Sequence, residues 1–232
     1  MKKIITCLLT LSMMFMFSAT AFASDFSGNA ESELSNISDK IVTAVNDVYS
    51  DKNISITAED INYDSAFKIY VDTNVFKLST NVAGEIENAL ENGNYIYLLP
   101  IDTVNGTVVV NFQKGLPLSE NAKAILSEEE QQEVLDNAGK WVISSLALYK
   151  NGNSNYDYEK KLSSIIDEIP ADTILVGGLP IFQDVVALIP NSDGVIEEIV
   201  PVTATAYDEN LVTYARSNSC LLYTSPSPRD CS

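Results

Sequence analysis

The chain has 232 residues, with 32 Asp and Glu against 14 Lys and Arg, a formal net charge of −18, three Cys and no His. The missing histidine excludes Ser-His-Asp and Cys-His catalysis, zinc sites built on His, and the usual general base near neutral pH. The acidity excludes a basic nucleic-acid face, because phosphate contacts need clustered Lys and Arg, and it disfavours anionic membrane surfaces.

Residues 1–23 read as a secretory signal peptide. Lys2 and Lys3 form the basic n-region, Ile4 to Phe17 the apolar h-region, and Ala21-Phe22-Ala23 a small-x-small cleavage site, so Ser24 is the expected first mature residue. The h-region falls short of the roughly 20 apolar residues that a spanning helix needs. Cys7 sits too early for lipid attachment at a cleavage site. The expected location is therefore outside the cell, secreted or at the cell surface. The usage of Lys, Asn, Asp and Ile suits an AT-rich bacterial genome.

The other end carries Cys220-Leu221-Leu222-Tyr223-Thr224-Ser225-Pro226 and on to Asp230. This stretch resembles the end of a transposase-based sequencing adapter translated in one frame. Residues 219–232 are expected to be non-native, and the natural C-terminus, with any anchor, to lie outside the visible chain. Residues 24–218 then hold no cysteine, which removes disulfides, thiolate metal sites and cysteine nucleophiles. Their 11 basic and 31 acidic residues leave a charge of −20. This length is enough to bury a full core.

Residues 24–61 are expected to form a polar leader and one helix from Glu31 to Tyr49. Leu34, Ile37, Ile41, Ala44, Val45 and Val48 recur at helical spacing. Residues 62–115 read as a first α+β unit. Phe67 to Val71 is a strand, Val82 to Glu91 a helix, and Tyr95–Leu99 and Thr107–Phe112 are strands around Asn105-Gly106. That dipeptide predicts a hairpin with a type I′ turn, whose two central residues need positive φ.

Residues 116–218 read as a second unit. Ser119 to Asn137 is expected as one helix, with Ser127 and Glu130 as a capping box. Trp141 to Tyr149 suits either a continued helix or a strand, and the strand is preferred because it repeats the layout of the first unit. Tyr158 to Ile169 is a helix with Leu162, Ile165, Ile166 and Ile169 inward. Thr173–Val176, Val185–Ile189 and Val195–Val200 are strands. The fold class is α+β, an antiparallel-rich sheet with packed helices and two units of similar strand-helix-strand-strand layout.

Candidate chemistry is sparse. Asn151, Asn153, Asn155, Asp157 and Glu159 place side-chain oxygens at every second residue, the spacing of calcium loops, although glycine stands second and Leu162 occupies the place of the bidentate Glu. Calcium is the one cofactor this suggests. Asp72-Thr73, Asp102-Thr103 and Asp172-Thr173 lack the following Gly of aspartic proteases, and Ser65-Ala66-Phe67-Lys68 lacks the partner motifs of penicillin-binding enzymes. Glu197 and Glu198 point to opposite faces of a strand and read as a solvated edge. Tyr95, Tyr97, Tyr149, Tyr156 and Tyr158 are candidates for a recognition surface, since tyrosine offers large contact area at low entropy cost. The expected function is a non-enzymatic binding or structural module of the cell envelope, with a protein or envelope partner. The alternative is an extracellular hydrolase working with carboxylates alone, assisted by calcium.

Overall fold

The computed structural model describes residues 26–72, 74–178 and 184–202, and the backbone of 212–214. The segments expected to be a signal peptide, residues 1–23, and an adapter translation, residues 219–232, lie outside these residues. No helix among the described residues is long and apolar enough to cross a membrane.

The strands are β1 (Phe67–Val71), β2 (Asn94–Thr103), β3 (Gly106–Lys114), β4 (Trp141–Tyr149), β5 (Ile174–Val176), β6 (Val186–Pro190), β7 (Ile196–Pro201) and β8 (Val212–Tyr214). They join one sheet in the order β7-β6-β5-β1-β2-β3-β4-β8. Every pairing is antiparallel except β1 with β5. The α+β class is therefore as expected, and Trp141–Tyr149 is a strand. The similar layout of the two units does not extend to pairing. β1 pairs with β2, whereas β4 is separated from β5 by three strands.

The helices are α1 (Ala30–Leu34), α2 (Ser38–Val48), α3 (Ala83–Leu90), α4 (Glu120–Ile125), α5 (Glu128–Asn137) and α6 (Tyr158–Ser163). Two expected long helices are each split. Between α1 and α2, residues Ser35–Ile37 tighten into a 3-10 turn, where the Ser38 hydroxyl donates to the Ser35 carbonyl. Leu34, Ile41 and Val45 still reach the core. Between α4 and α5 the chain extends at Leu126 and Ser127. The capping box of Ser127 and Glu130 starts a new helix there. In the third case α6 stops at Ser163. Leu162 is buried and Ile166 and Ile169 pack inward, but Ile165 is exposed, against expectation.

Sheet burial explains the strand sequences. β1, β5 and β6 lie inside the sheet and are buried on both faces; β5 and β6 are apolar throughout, and β1 carries one charge, Lys68. β2 alternates, with Tyr95, Tyr97, Leu99 and Ile101 buried on one face. α1, α2 and α3 cover that face and share one core with Phe112, Leu146 and Leu188. On the other face, Leu162 of α6 packs with Phe67, Ile69, Leu175 and Ala187. β7 closes one edge of the sheet with Glu197 and Glu198 exposed, as a solvated edge requires.

The Asn-Gly hairpin forms, with Thr103 opposite Gly106. Its turn differs from expectation. The tip residues are Val104 and Asn105, and neither has positive φ; Gly106 does, at 141°. A Cβ at Gly106 would lie 2.2 Å from the Tyr149 carbonyl oxygen. Glycine is needed here for close approach of β4 as well as for its φ.

Candidate binding surfaces

Tyr95 and Tyr97 lie on the covered face of β2, facing α1. Glu33 stands one turn from Ala30, on the side of α1 that meets the sheet. Its carboxylate accepts from Tyr95 Oη at 2.8 and 3.0 Å, from Tyr97 Oη at 3.2 Å, and from Trp141 Nε1 at 2.9 Å. Lys114 Nζ donates to Tyr95 Oη at 3.3 Å. Lys68 Nζ lies 4.5 Å from the Tyr95 ring centre and pairs with Glu91 Oε1 at 2.7 Å. Glu91 also accepts from Tyr70 Oη at 3.2 Å.

Burial, reinforced by the Glu33 carboxylate, pushes both Tyr95 and Tyr97 well above the usual phenol range. Burial, with Glu87 and Glu91 nearby, does the same to Tyr70. The hydrogen bond from Lys68 holds Glu91 below the usual carboxylate range. Tyr97 is fully buried and Tyr95 is 8% exposed. These two tyrosines are therefore core residues, not the recognition surface expected of them. Lys68 is tied to Glu91, and the Ser65 hydroxyl donates to the Asn62 carbonyl, so the Ser-x-x-Lys spacing brings no nucleophile to a base.

The other three tyrosines do meet. The rings of Tyr149 and Tyr156 are 5.0 Å apart, and Tyr158 stands edge-on to Phe67 at 5.3 Å. Burial pushes Tyr158 up to about 12. Together with Leu98, Val109 and Asn111 they line a groove of about 340 Å³ on the α6 face. Tyr156 Oη donates to Thr107 Oγ1 at 3.0 Å, and Thr107 donates to Asp102 Oδ1 at 2.7 Å.

The Asn151–Glu159 loop uses its oxygens locally. Asn153 Oδ1 accepts from the Asn155 amide at 2.9 Å, and Asp157 Oδ1 caps α6 by accepting from the Lys160 amide at 2.8 Å. Asn151 Nδ2 donates to the Val104 carbonyl, and the Asn155 carbonyl accepts from Lys161 Nζ. The alternate spacing thus serves a turn and a cap. Glu159 and Asp157 instead line a second cleft, of about 320 Å³, with Asp60, Asp64 and Asp102. The Thr57 amide and hydroxyl hold Asp60 below the usual carboxylate range. Among the described residues, no group of three or more His, Cys, Asp or Glu is arranged to hold a metal ion.

A third surface was not anticipated from sequence. The excursion between β3 and β4 is closed at its base, where the Gly115 amide donates to the Lys140 carbonyl at 2.8 Å and the Gly139 amide to the Gly115 carbonyl at 2.7 Å. A Cβ at Gly115 would lie 2.1 Å from the Asn137 carbonyl oxygen. Neither α4 nor α5 buries a single residue. Between them and β4 opens a cleft of about 300 Å³, lined by Leu116, Leu118, Ala122, Ile125, Val134 and Val142 among others. Ile125 is 70% exposed, and Leu116 and Leu135 are also open to solvent. The available signal was the weak apolar stripe of a mostly polar helical segment, too sparse to bury two helices. Comparison with protein-family models, curated proteins and solved structures finds no match to this chain.

Proposed function

We propose that this chain is a secreted or cell-surface bacterial module that binds a partner in the envelope without performing catalysis. The observation that carries the reading is the α4–α5 excursion. It is held firmly at Gly115 and Gly139, yet it buries none of its side chains and turns apolar ones toward an open cleft. An apolar surface kept on a well-anchored scaffold marks an interaction site. The lack of His in the chain, and of Cys in residues 24–218, supports a non-enzymatic role.

The test is site-specific photo-crosslinking on cells that export the protein. A crosslinker at Ile125 is expected to give a discrete adduct, abolished by Leu116→Asp. A crosslinker at exposed Ile165 is the control and is expected to give none. Equal adducts at both positions, or none at Ile125 with the protein exported and folded, would remove the reading.

One observation favours a second reading, the carboxylate hydrolase. Asp60, Asp64, Asp102, Asp157 and Glu159 line a single cleft. Two carboxylates in one cleft are the minimum for glycoside hydrolysis. Release of reducing sugar from envelope polysaccharides, with and without calcium, tests it. Activity lost in Asp64→Asn with Glu159→Gln would establish the hydrolase; no release from any substrate would dismiss it.

A further inference from the structure

We infer that Asn151 is a site of spontaneous covalent modification, deamidation by ring closure onto Gly152, and that the fold shields the other Asn-Gly pairs from the same reaction. Those pairs are Asn92-Gly93 and Asn105-Gly106. The reaction needs no enzyme, cofactor or oxidant. The Gly152 amide nitrogen gives up its proton and attacks Asn151 Cγ. A new C–N bond closes a cyclic imide, the Cγ–Nδ2 bond breaks, and ammonia leaves with the proton. Water then adds across either C–N bond of the imide. It returns Asp at 151, or an isoaspartyl link in which the backbone runs through the side-chain carboxyl. Glycine favours closure because it has no Cβ to restrict the local rotation of the chain.

The attacking nitrogen decides among the pairs. The Asn153 amide donates to the Lys150 carbonyl at 2.9 Å and closes a turn with Asn151 and Gly152 at its centre. A turn closed in this way leaves the amide of its third residue, Gly152, unused. Gly152 has a φ of 88°, and both central residues are exposed. Among the described residues the Gly152 amide has no hydrogen-bond partner. A Cβ at Gly152 would meet nothing within 4 Å, so the imide has room to form. Asn151 is held by one contact, from Nδ2 to the Val104 carbonyl at 3.2 Å. The Gly93 amide, by contrast, donates to the Leu90 carbonyl at 2.7 Å, at the end of α3. Gly106 is buried and stands opposite Thr103 in the β2–β3 ladder, and Asn105 Nδ2 donates to the Lys52 carbonyl at 2.9 Å. These two pairs react only from locally opened states. Conversion at 151 replaces a donor with a carboxylate. Two acceptors then face each other at Val104, and the contact between the β4–α6 turn and the hairpin tip is lost.

The experiment ages the folded chain in warm buffer made with heavy-oxygen water and follows each Asn-Gly pair by peptide mapping and mass spectrometry. Asn151 is expected to convert at least about tenfold faster than Asn92 or Asn105, taking up heavy oxygen from the water as it does. In urea the rates are expected to converge, because the fold no longer shields any pair. Comparable rates in folded protein, or faster conversion at Asn92 or Asn105, would overturn the inference. So would an Asn151 that stays intact in folded protein while it converts in urea. A preference for Asn151 that persists in urea would assign it to neighbouring residues and overturn the shielding by the fold. Asn151→Asp carries one product from the start and is expected to shift the amide resonances of Val104 and Asn105, whereas Asn92→Asp is expected to leave them in place. Unmoved resonances in Asn151→Asp would overturn the link to the hairpin tip.

Discussion

Glu33 Oε2 accepts a hydrogen bond from Trp141 Nε1 at 2.9 Å, across 108 residues of sequence. The same carboxylate accepts from Tyr95 and Tyr97. One side chain on the first helix thus ties β2 and β4 to α1, although β3 lies between those strands.

Glu33→Ala leaves two buried phenols and an indole without their acceptor. Unsatisfied buried donors cost about 1–3 kcal/mol each and do not add fully, so the variant should lose about 2–3 kcal/mol. Trp141 is the sole tryptophan of the chain. Urea unfolding followed by its fluorescence measures the loss, and the native emission should shift with it. Glu33→Gln keeps one acceptor oxygen and should lose less.

The Lys68–Glu91 pair predicts an acid limb. Lys68 depresses the folded-state pKa of Glu91, so the stabilisation is complete above the ordinary carboxylate range and is lost as pH falls through the folded value. The Glu91 side chain is 45% exposed, and solvent screening keeps the contribution below about 1 kcal/mol. Lys68→Met should flatten the dependence of the urea midpoint between about pH 3 and 5.

The buried phenols predict the opposite limb. Tyr70, Tyr95 and Tyr97 are raised, and Tyr158 is raised to about 12. A group raised in the folded state stabilises fully below its ordinary value, about 10 for tyrosine, and ceases to as pH rises through the folded one. Tyrosinate absorbance should therefore rise in two steps. The second should coincide with the fluorescence change of Trp141 on unfolding.

Gly106→Ala should be severe. Its Cβ would sit 2.2 Å from the Tyr149 carbonyl, a backbone atom that cannot rotate away, and φ there is 141°. A loss of about 3 kcal/mol is expected, visible as a lower denaturation midpoint. Gly152→Ala meets nothing within 4 Å and should cost less, leaving only its φ of 88°.

Ile125→Asp should be nearly neutral to folding, within about 0.5 kcal/mol, because the side chain is 70% exposed. The same change should reduce the binding of an apolar fluorescent dye. A large loss of stability would mean that the cleft is filled and belongs to the core.

Local pattern reached far along this chain. Alternation in Tyr95, Tyr97 and Leu99, the apolar runs of β5 and β6 and the hairpin at Asn105-Gly106 were all legible, because each rests on neighbours a few residues apart, whereas at Trp141–Tyr149 the local pattern suited helix and strand alike and only the layout of the first unit favoured the strand. Helix ends were less so. The capping box at Ser127 was visible, but not that the chain would extend before it and split the helix.

Which tyrosines face the core and which line a groove depended on what covers each sheet face. That is set by α1 and α6 meeting strands up to 108 residues away. The shared fate of Tyr95, Tyr97 and Trp141 at Glu33 carries no local signature, since no spacing relates them. The α4–α5 cleft exists because two short helices carry too few apolar side chains to pack down, while glycines at both ends close the base. Composition had already removed His chemistry from the chain and Cys chemistry from residues 24–218. Long-range pairing and burial then decided that Asp60, Asp64, Asp102, Asp157 and Glu159 share one cleft and that Leu116 and Ile125 line another.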